Sequence, residues 1–167
     1  DARFSSFLIL LFIYLGLIFL EKSFKKLSDA LIKTINRYYL RYQNEDNEFI
    51  RSFPKNISFI GAWYVKMQSG GHLSSHIHEE GWISGAVYLA IPKNSGASKQ
   101  EGAIELSSDG DQYPRLHDEF EKKVILPKEG DVIFFPSSVF HRTIPFKSNE
   151  ERRTSLTNRI NKISFNR

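Results

Sequence analysis

WISGAVYLAI, residues 82–91, is a short apolar run rich in β-branched and aromatic residues, and Pro92 closes it. It is the third of eight such runs after residue 56, and Gly, Pro, Asn and Asp separate them. The others are ISFIGAWYVKM (57–67), HLSSHIH (72–78), GAIEL (102–106), KVIL (123–126), DVIFF (131–135), VFHRTI (139–144) and RTSLT (153–157). Runs of this kind indicate the antiparallel strands of a sandwich or barrel, and not alternating β–α units. The sequence therefore predicts a mainly β fold, with one jelly-roll (double-stranded β-helix) domain over residues 57–167.

The second run contains the pair His76-Ile77-His78. Alternate residues of a strand point to the same face, so both imidazoles are expected on one side, as in a chelating pair. If the pair were buried without a metal, each ring would need a hydrogen-bond partner, and an unpaired one would cost roughly 1–3 kcal/mol. An edge strand whose imidazoles face water would also explain the pattern. The pair alone does not establish a metal site.

A third histidine, His141, comes after a turn, a hydrophobic strand and a proline, in the segment KEGDVIFFPS at residues 128–137. Early and late strands of a jelly roll lie near each other, so His141 is expected to complete a set of three ligands. Such a set on one side of a metal leaves open positions for small ligands. A competing interpretation takes Glu80 as the carboxylate of a His-x-Glu pair with His78. We favour His76 and His78, because residues 79–81 resemble a turn that leaves the strand.

An anionic ligand of that metal, such as a dicarboxylate, would need a cation at its far end, and the last run opens with Arg152 and Arg153. An arginine binds a carboxylate through two parallel hydrogen bonds, and a hydroxyl two residues later shares its face of the strand. Thr154 has that place after Arg152, and Ser155 has it after Arg153. Because alternation lets only one arginine point inward, both registers stay open.

Three blocks of this sequence resemble the 2-oxoglutarate/Fe(II) oxygenases of bacteria, marine microbes and phages. They are GGHLSSHIHEEGWISGAVYL (70–89), GDVIFFPS (130–137) and HRTIPF (141–146), in the family's order and within residues 57–158. The resemblance implies an oxidoreductase, a dioxygenase that uses Fe(II), 2-oxoglutarate and dioxygen. It implies hydroxylation of an unidentified substrate, with release of succinate and CO2. The metal ligands that it implies are His76, His78 and His141.

In that family, one arginine followed two residues later by Thr or Ser closes the cosubstrate pocket. The length after residues 145–146 favours Arg152 with Thr154, whereas the Arg-x-Ser pattern favours Arg153 with Ser155. Tyr88, on the third run, is placed to reach the cosubstrate. The candidates for cosubstrate binding are therefore the two arginine pairs and Tyr88.

More distant prolyl hydroxylases are similar through a glycine six residues before the first metal histidine, as Gly70 is before His76. That alignment puts His78 where those enzymes carry Asp, which is a departure from their pattern. Residues 156–158 (Leu-Thr-Asn) also differ from the Ala-Phe-Asp that ends this strand in family members. The tail that follows, residues 159–167, is therefore expected to diverge from the family.

Two other functions fit the same pattern. A cupin-type metalloenzyme with three histidines would share the fold and the metal but would not use 2-oxoglutarate, and so would need neither arginine. A non-catalytic jelly-roll binding module would keep the fold without the metal. Iron binding and dependence on 2-oxoglutarate separate the three alternatives.

The N-terminal part, residues 1–56, differs in residue pattern from the β region. In residues 1–22 the run FLILLFIYLGLIFL (7–20) is apolar, and it suits a signal-anchor helix, a buried element or the end of a fragment. A membrane span needs roughly 20 residues. As an anchor, residues 4–20 would leave the domain cytoplasmic, since Lys22, Lys25 and Lys26 follow them. Residues 23–56 are predicted to be a helical lead-in, whose amphipathic face contains Phe24, Leu27, Leu31, Ile35, Tyr38 and Tyr42.

Composition excludes several kinds of site. The 167-residue chain has no cysteine, so a metal must be held by His, Asp or Glu. Its net charge of +4 is spread along the chain, which does not favour nucleic acid as a partner. The polar loops 93–102 and 107–115 are expected to shape the path of the substrate. His72 and His117 are expected to be ordinary surface or core residues.

Overall fold

The computed structural model describes residues 2–59, 61–79, 81–93, 98–110, 113–114 and 117–158, with the backbone alone described for 2–16 and 156–158. The chain divides into two compact units, Asp1–Phe53 and Pro54–Arg167. The first unit is helical. The second contains all the strands of the described chain.

The helical unit consists of α1 (Ala2–Tyr42) and α2 (Glu48–Arg51). A single helix crosses the boundary at residue 22, where the sequence had suggested two segments. The predicted amphipathic face is buried at Leu31 and Ile35, whereas Phe24, Leu27 and Tyr38 on the same face are exposed. The face is therefore covered only at its centre.

The apolar run at residues 7–20 lies largely outside the described side chains. Among the residues whose side chains are described, no helix combines the length and the apolar character that a membrane crossing requires. The prediction of a membrane anchor at residues 4–20 therefore stays untested for residues 4–16.

Within its described residues the β unit contains seven strands: β1 (Gly61–Met67), β2 (Ile83–Ala90), β3 (Ile104–Ser107), β4 (Lys122–Ile125), β5 (Val132–Pro136), β6 (Phe140–Thr143) and β7 (Arg152–Asn158). They form a four-stranded sheet in the order β1-β7-β2-β5 and a three-stranded sheet in the order β4-β3-β6. All strand pairs are antiparallel. The prediction of a mainly β fold is confirmed.

One predicted strand is absent from the described chain. The segment HLSSHIH (72–78) forms only an isolated antiparallel bridge, between His76 and His141. The carbonyl oxygen of Ser74 lies 2.7 Å from the Nδ1 atom of His76, so this backbone group is directed to an imidazole and not to a neighbouring strand. Local side-chain contacts of this kind compete with a strand ladder.

The hydrophobic core of the β unit lies between its two sheets. Ala86, Tyr88 and Phe135 come from the larger sheet, and Ile104 from the smaller one, and they form one buried cluster. Full burial of an Ile or Phe side chain, such as Ile104 or Phe135, stabilises a fold by roughly 1.5–3 kcal/mol. Two antiparallel sheets that face each other across one core have the architecture of a jelly roll.

Candidate metal centre and adjoining anion pocket

Three histidines converge at one place in the β unit. In the bridge between His76 and His141, each backbone N–H donates to the other's carbonyl oxygen, at 3.1 and 3.0 Å. The ring centroids lie 5.2 Å apart for His76 and His78, 4.2 Å for His76 and His141, and 4.7 Å for His78 and His141. One ring nitrogen of each residue lies within 4.8 Å of the others. The fold thus brings together the three predicted metal ligands.

The backbone determines which ring nitrogen two of these histidines offer. The Nδ1 atom of His76 lies 2.7 Å from the carbonyl oxygen of Ser74, and that of His141 lies 3.2 Å from the carbonyl oxygen of Val139. A carbonyl oxygen only accepts hydrogen bonds, so each Nδ1 carries the proton and each Nε2 keeps its lone pair. Metal-binding histidines commonly donate their other N–H in this way. The contacts therefore fit a divalent metal held through Nε2.

Electrostatics favour the same conclusion for His141. Burial, together with the charge of His76, lowers the pKa of His141 to about 4. A metal binds the neutral form of imidazole. His141 is therefore held in the form that a metal needs at neutral pH.

The described residues of the cluster would leave some coordination positions of a metal unfilled. Among the residues that the structure describes, no carboxylate joins the three histidines. Glu80, the alternative ligand, lies outside the described residues, and Glu79 is exposed. A structural zinc site would be closed by four protein ligands, whereas three on one side leave positions for other ligands. The arrangement is therefore suited to metal chemistry and not only to structural support.

The phase of β7 separates the two candidate arginines. Arg152 is 3% exposed, and its Nη1 donates to Thr154 Oγ1 at 2.9 Å. Its Nε donates to the carbonyl oxygen of Gly102 at 3.1 Å. Arg153 is exposed, and its Nε lies 3.7 Å from a carboxylate oxygen of Glu151. Of the two registers, Arg152 with Thr154 faces the interior, and Arg153 with Ser155 faces outward.

The buried guanidinium of Arg152 has no carboxylate partner within the described ranges. Its central carbon lies 5.2 Å from the ring centroid of Tyr88. Burial lowers the pKa of Arg152 from its ordinary value, but an arginine stays charged in proteins. A buried cation without a counter-ion is destabilising, which marks the place as one for an anion.

Tyr88 adds a second polar group to the same place. The side chain is fully buried, and the charged group beside its hydroxyl is the Arg152 guanidinium. Burial raises the pKa of Tyr88 to about 12, an effect that the Arg152 charge reduces. One cavity of about 20 Å³ is lined by Tyr88, Arg152 and His141, so the anion place adjoins the histidine cluster.

A wider cleft lies beside His76. It has a volume of about 470 Å³, and its walls include Tyr113 and Phe140, whose ring centroids lie 5.2 Å apart. Tyr113 belongs to the loop 107–115, which was expected to shape the path of the substrate. The remaining predicted loop, 93–102, lies partly outside the described residues.

The other histidines stand apart from this cluster. His72 is exposed, with its Nδ1 atom 3.2 Å from the carbonyl oxygen of Gly70. His117 is exposed and stacks on Phe120 at a centroid distance of 4.4 Å. Both have the ordinary surroundings that the sequence suggested.

Two aromatic neighbours of the cluster and one contact of His78 were not predicted from the sequence. The ring of Trp63 lies 5.9 Å from that of His78, edge to face, and the ring of Phe135 lies 4.5 Å from that of His141. The Nδ1 atom of His78 lies 2.7 Å from the hydroxyl oxygen of Ser84. Ser84 is a polar residue inside an otherwise apolar strand, and that was the one local signal for this contact.

Comparison with known proteins gives one family and a set of related folds. Residues 61–158 match the family described as "Putative 2OG-Fe(II) oxygenase". Among solved structures, a prolyl-4-hydroxylase from Pseudomonas putida is 18% identical, with a TM-score of 0.42, over 60% of this chain and 51% of that one. An oxidoreductase of the 2OG-Fe(II) oxygenase family from Burkholderia pseudomallei is 13% identical, with a TM-score of 0.47, over 65% and 46%. The chain thus spans about half the length of these structures, and no curated protein sequence matches it.

Proposed function

Because the chain belongs to the 2OG-Fe(II) oxygenase family, we propose that it is an Fe(II)- and 2-oxoglutarate-dependent dioxygenase that hydroxylates a substrate. The observation that carries the 2-oxoglutarate part is the buried Arg152. It has no carboxylate partner in the described chain, and it lines the same cavity as His141. His141, a proposed metal ligand, and the cationic Arg152 line one cavity, which suits a small molecule that is anionic at both ends.

The proposed metal ligands are His76, His78 and His141. With Fe(II) held there, the site would supply oxidative decarboxylation of 2-oxoglutarate by dioxygen, giving succinate and CO2, coupled to hydroxylation of the substrate. Three neutral imidazoles leave the full charge of the metal in place, whereas a carboxylate ligand would offset part of it. An anionic cosubstrate is therefore attracted more strongly than at a site with a carboxylate ligand.

Arg152 is proposed to hold the distal carboxylate of 2-oxoglutarate. Its contacts with Gly102 and Thr154 fix the guanidinium in place, so little freedom is lost when the carboxylate binds. The Tyr88 hydroxyl is positioned to donate to the same ligand. The cavity of about 20 Å³ has room for roughly one water, so its walls must move apart to admit the dicarboxylate.

The substrate is proposed to approach through the cleft beside His76. This cleft is open, whereas the cavity at Arg152 is enclosed by core residues. The two ligands would thus occupy different cavities beside the metal. Tyr113 and Phe140 give this approach an aromatic wall.

The test is an anaerobic titration of the protein with Fe(II) and then with 2-oxoglutarate, followed by the visible charge-transfer absorption of the chelate. We expect the band only after both additions. His76→Ala should abolish it, and His72→Ala, which changes an exposed histidine outside the cluster, should keep it. Iron binding without the band would favour a cupin-type three-His enzyme. Absence of iron binding would leave a non-catalytic binding module.

A further inference from the structure

Two buried serines form a chain of hydrogen bonds that ends on His78. Its Nδ1 atom lies 2.7 Å from Ser84 Oγ, and Ser84 Oγ lies 2.8 Å from Ser137 Oγ. Ser84 is 1% exposed and Ser137 is fully buried. Two hydroxyls withdrawn from water are retained only where their hydrogen bonds serve the fold or the site.

The backbone holds this chain in register with the histidine. The carbonyl oxygen of Ser137 accepts from the backbone N–H of His78 at 2.9 Å, and the N–H of Ser137 donates to the carbonyl oxygen of Trp82 at 3.1 Å. In the sheet, Ser84 on β2 lies opposite Phe135 on β5. Backbone hydrogen bonds and strand pairing thus join the segments that carry His78, Ser84 and Ser137. The distance from Ser84 to His78 is therefore fixed by the backbone and not by a mobile loop.

His78 differs from the other two ligands in the partner of its Nδ1. His76 and His141 face carbonyl oxygens, which can only accept, so their tautomer is fixed. A hydroxyl can donate or accept, and the chain at His78 therefore has two proton arrangements. In one, Nδ1–H donates to Ser84, Ser84 donates to Ser137, and Nε2 keeps its lone pair. In the other, Ser84 donates to Nδ1, and the proton sits on Nε2, which then cannot bind a metal.

We propose that Ser84 and Ser137 are positioning residues that select the metal-binding tautomer of His78. The inference rests on the proposed metal site, because the tautomer matters only if Nε2 binds a metal. The first arrangement is the one compatible with a bound metal, so metal binding and the direction of the hydroxyl chain are coupled. Ser137 acts through Ser84, as the acceptor that lets the Ser84 hydroxyl point away from His78.

The experiment is a Co(II) titration of the folded, metal-free protein, followed by visible absorption and calorimetry. Ser84→Ala is expected to weaken Co(II) binding by about 10- to 100-fold, the usual effect of losing the second contact of a metal-binding histidine. Ser137→Ala is expected to weaken it less, by about 3- to 10-fold, since one hydrogen bond of the chain is lost. Ser107→Ala is the matched control: Ser107 is buried and accepts a hydrogen bond from the backbone N–H of Asp109, and in the described chain it does not belong to the hydrogen-bond chain at His78.

The double variant tests whether the serines act as a chain. Because Ser137 acts through Ser84, Ser84→Ala with Ser137→Ala should bind Co(II) about as weakly as Ser84→Ala alone. Losses that multiply would show that the serines act independently and would overturn the inference. The same affinity for Ser84→Ala and Ser107→Ala would overturn it as well. A wild-type protein that binds no Co(II) would instead refute the proposed metal site itself.

Urea unfolding of each metal-free variant separates positioning from stability. A merely structural role would lower the free energy of unfolding and leave the Co(II) affinity of the folded protein unchanged, which would contradict the proposal. Ser84→Thr keeps the hydroxyl and is expected to recover most of the affinity, even if its extra methyl group destabilises the core. If Ser84→Ala does not fold, Ser137→Ala and Ser84→Thr still give the comparison, and unchanged binding in Ser137→Ala would refute the chain.

Discussion

Replacing Arg152 with Met is expected to remove the preference for a dicarboxylate while leaving the fold intact. Arg152 is 3% exposed, so its hydrogen bonds to a carboxylate would form away from water. A hydrogen bond to a charged group contributes about 1.5–3 kcal/mol, and a bidentate arginine pair lies at the upper end. A loss of about 3 kcal/mol weakens 2-oxoglutarate binding by about 150-fold. Arg153→Met, at an exposed position on the same strand, should change the affinity less than about twofold.

The effect of Arg152→Met on stability is expected to be small, because two contributions oppose each other. The substitution removes the unfavourable burial of a charge, and Met can pack against the ring of Tyr88. It also leaves the carbonyl of Gly102 and the hydroxyl of Thr154 without the donors that they now have. We therefore expect the free energy of unfolding of the metal-free protein to change by no more than about 1–2 kcal/mol.

The assay is anaerobic calorimetry of Fe(II)-loaded protein with 2-oxoglutarate and with pyruvate, which has the keto acid end but no distal carboxylate. The wild type should prefer 2-oxoglutarate by about two orders of magnitude, and Arg152→Met should bind both ligands with similar affinity. An unchanged preference in Arg152→Met, or the same loss in Arg153→Met, would refute the assignment of Arg152. Equal affinities of the wild type for 2-oxoglutarate and pyruvate would mean that no cation binds the distal carboxylate.

Three further predictions concern single side chains. Burial raises the pKa of Tyr88 to about 12, so above pH 10 the unfolded chain loses a proton that the folded chain keeps. Stability therefore falls as the pH rises. Urea unfolding should show a loss of about 1.4 kcal/mol in the free energy of unfolding between pH 9 and 11, and Tyr88→Phe should lack this loss. A Cβ atom at Gly110 would lie 2.1 Å from the Phe140 ring, so Gly110→Ala should lower the free energy of unfolding by about 1–3 kcal/mol. Gly61→Ala, where nothing lies within 4 Å, should change it by less than about 0.5 kcal/mol, and equal effects would contradict the packing. Trp63 lies beside the histidine cluster, so Co(II) should quench its fluorescence, and a quench that persists unchanged in Trp63→Phe would contradict this placement.

The strands could be predicted because their cause is local. Residues 82–91 and 131–135 have the β-branched and aromatic composition of buried strands, and turn residues follow or precede them, so no distant information was needed. The segment 72–78 carries similar residues but forms only one bridge, at His76. There the Ser74 carbonyl binds an imidazole two residues away, and composition does not reveal such a contact.

The parts of the site that depend on pairing between distant segments were harder to predict from the sequence. The sequence narrowed the cation to Arg152 or Arg153, but the strand alone could not give the phase of its alternation. That phase follows from pairing with β1 and β2, where Thr154 lies opposite Val65 and Tyr88. The contact between Ser84 and Ser137 joins residues 53 positions apart, and nothing in either local segment indicates the other.

The two halves of the proposed site carry charge of the same sign, and this bears on how they work together. A metal held by neutral imidazoles would be cationic, as the guanidinium of Arg152 is, and no carboxylate of the described chain pairs with that guanidinium or joins the three histidines. Each cation alone would be poorly compensated, and the two would repel each other across the cavity at His141. A dianion placed between them offsets both charges at once, so its binding is coupled to that of the metal, and by reciprocity metal binding is strengthened by the dianion. A monocarboxylate would offset only one of the two, and for this reason the charge arrangement favours a dicarboxylate more than either half does by itself.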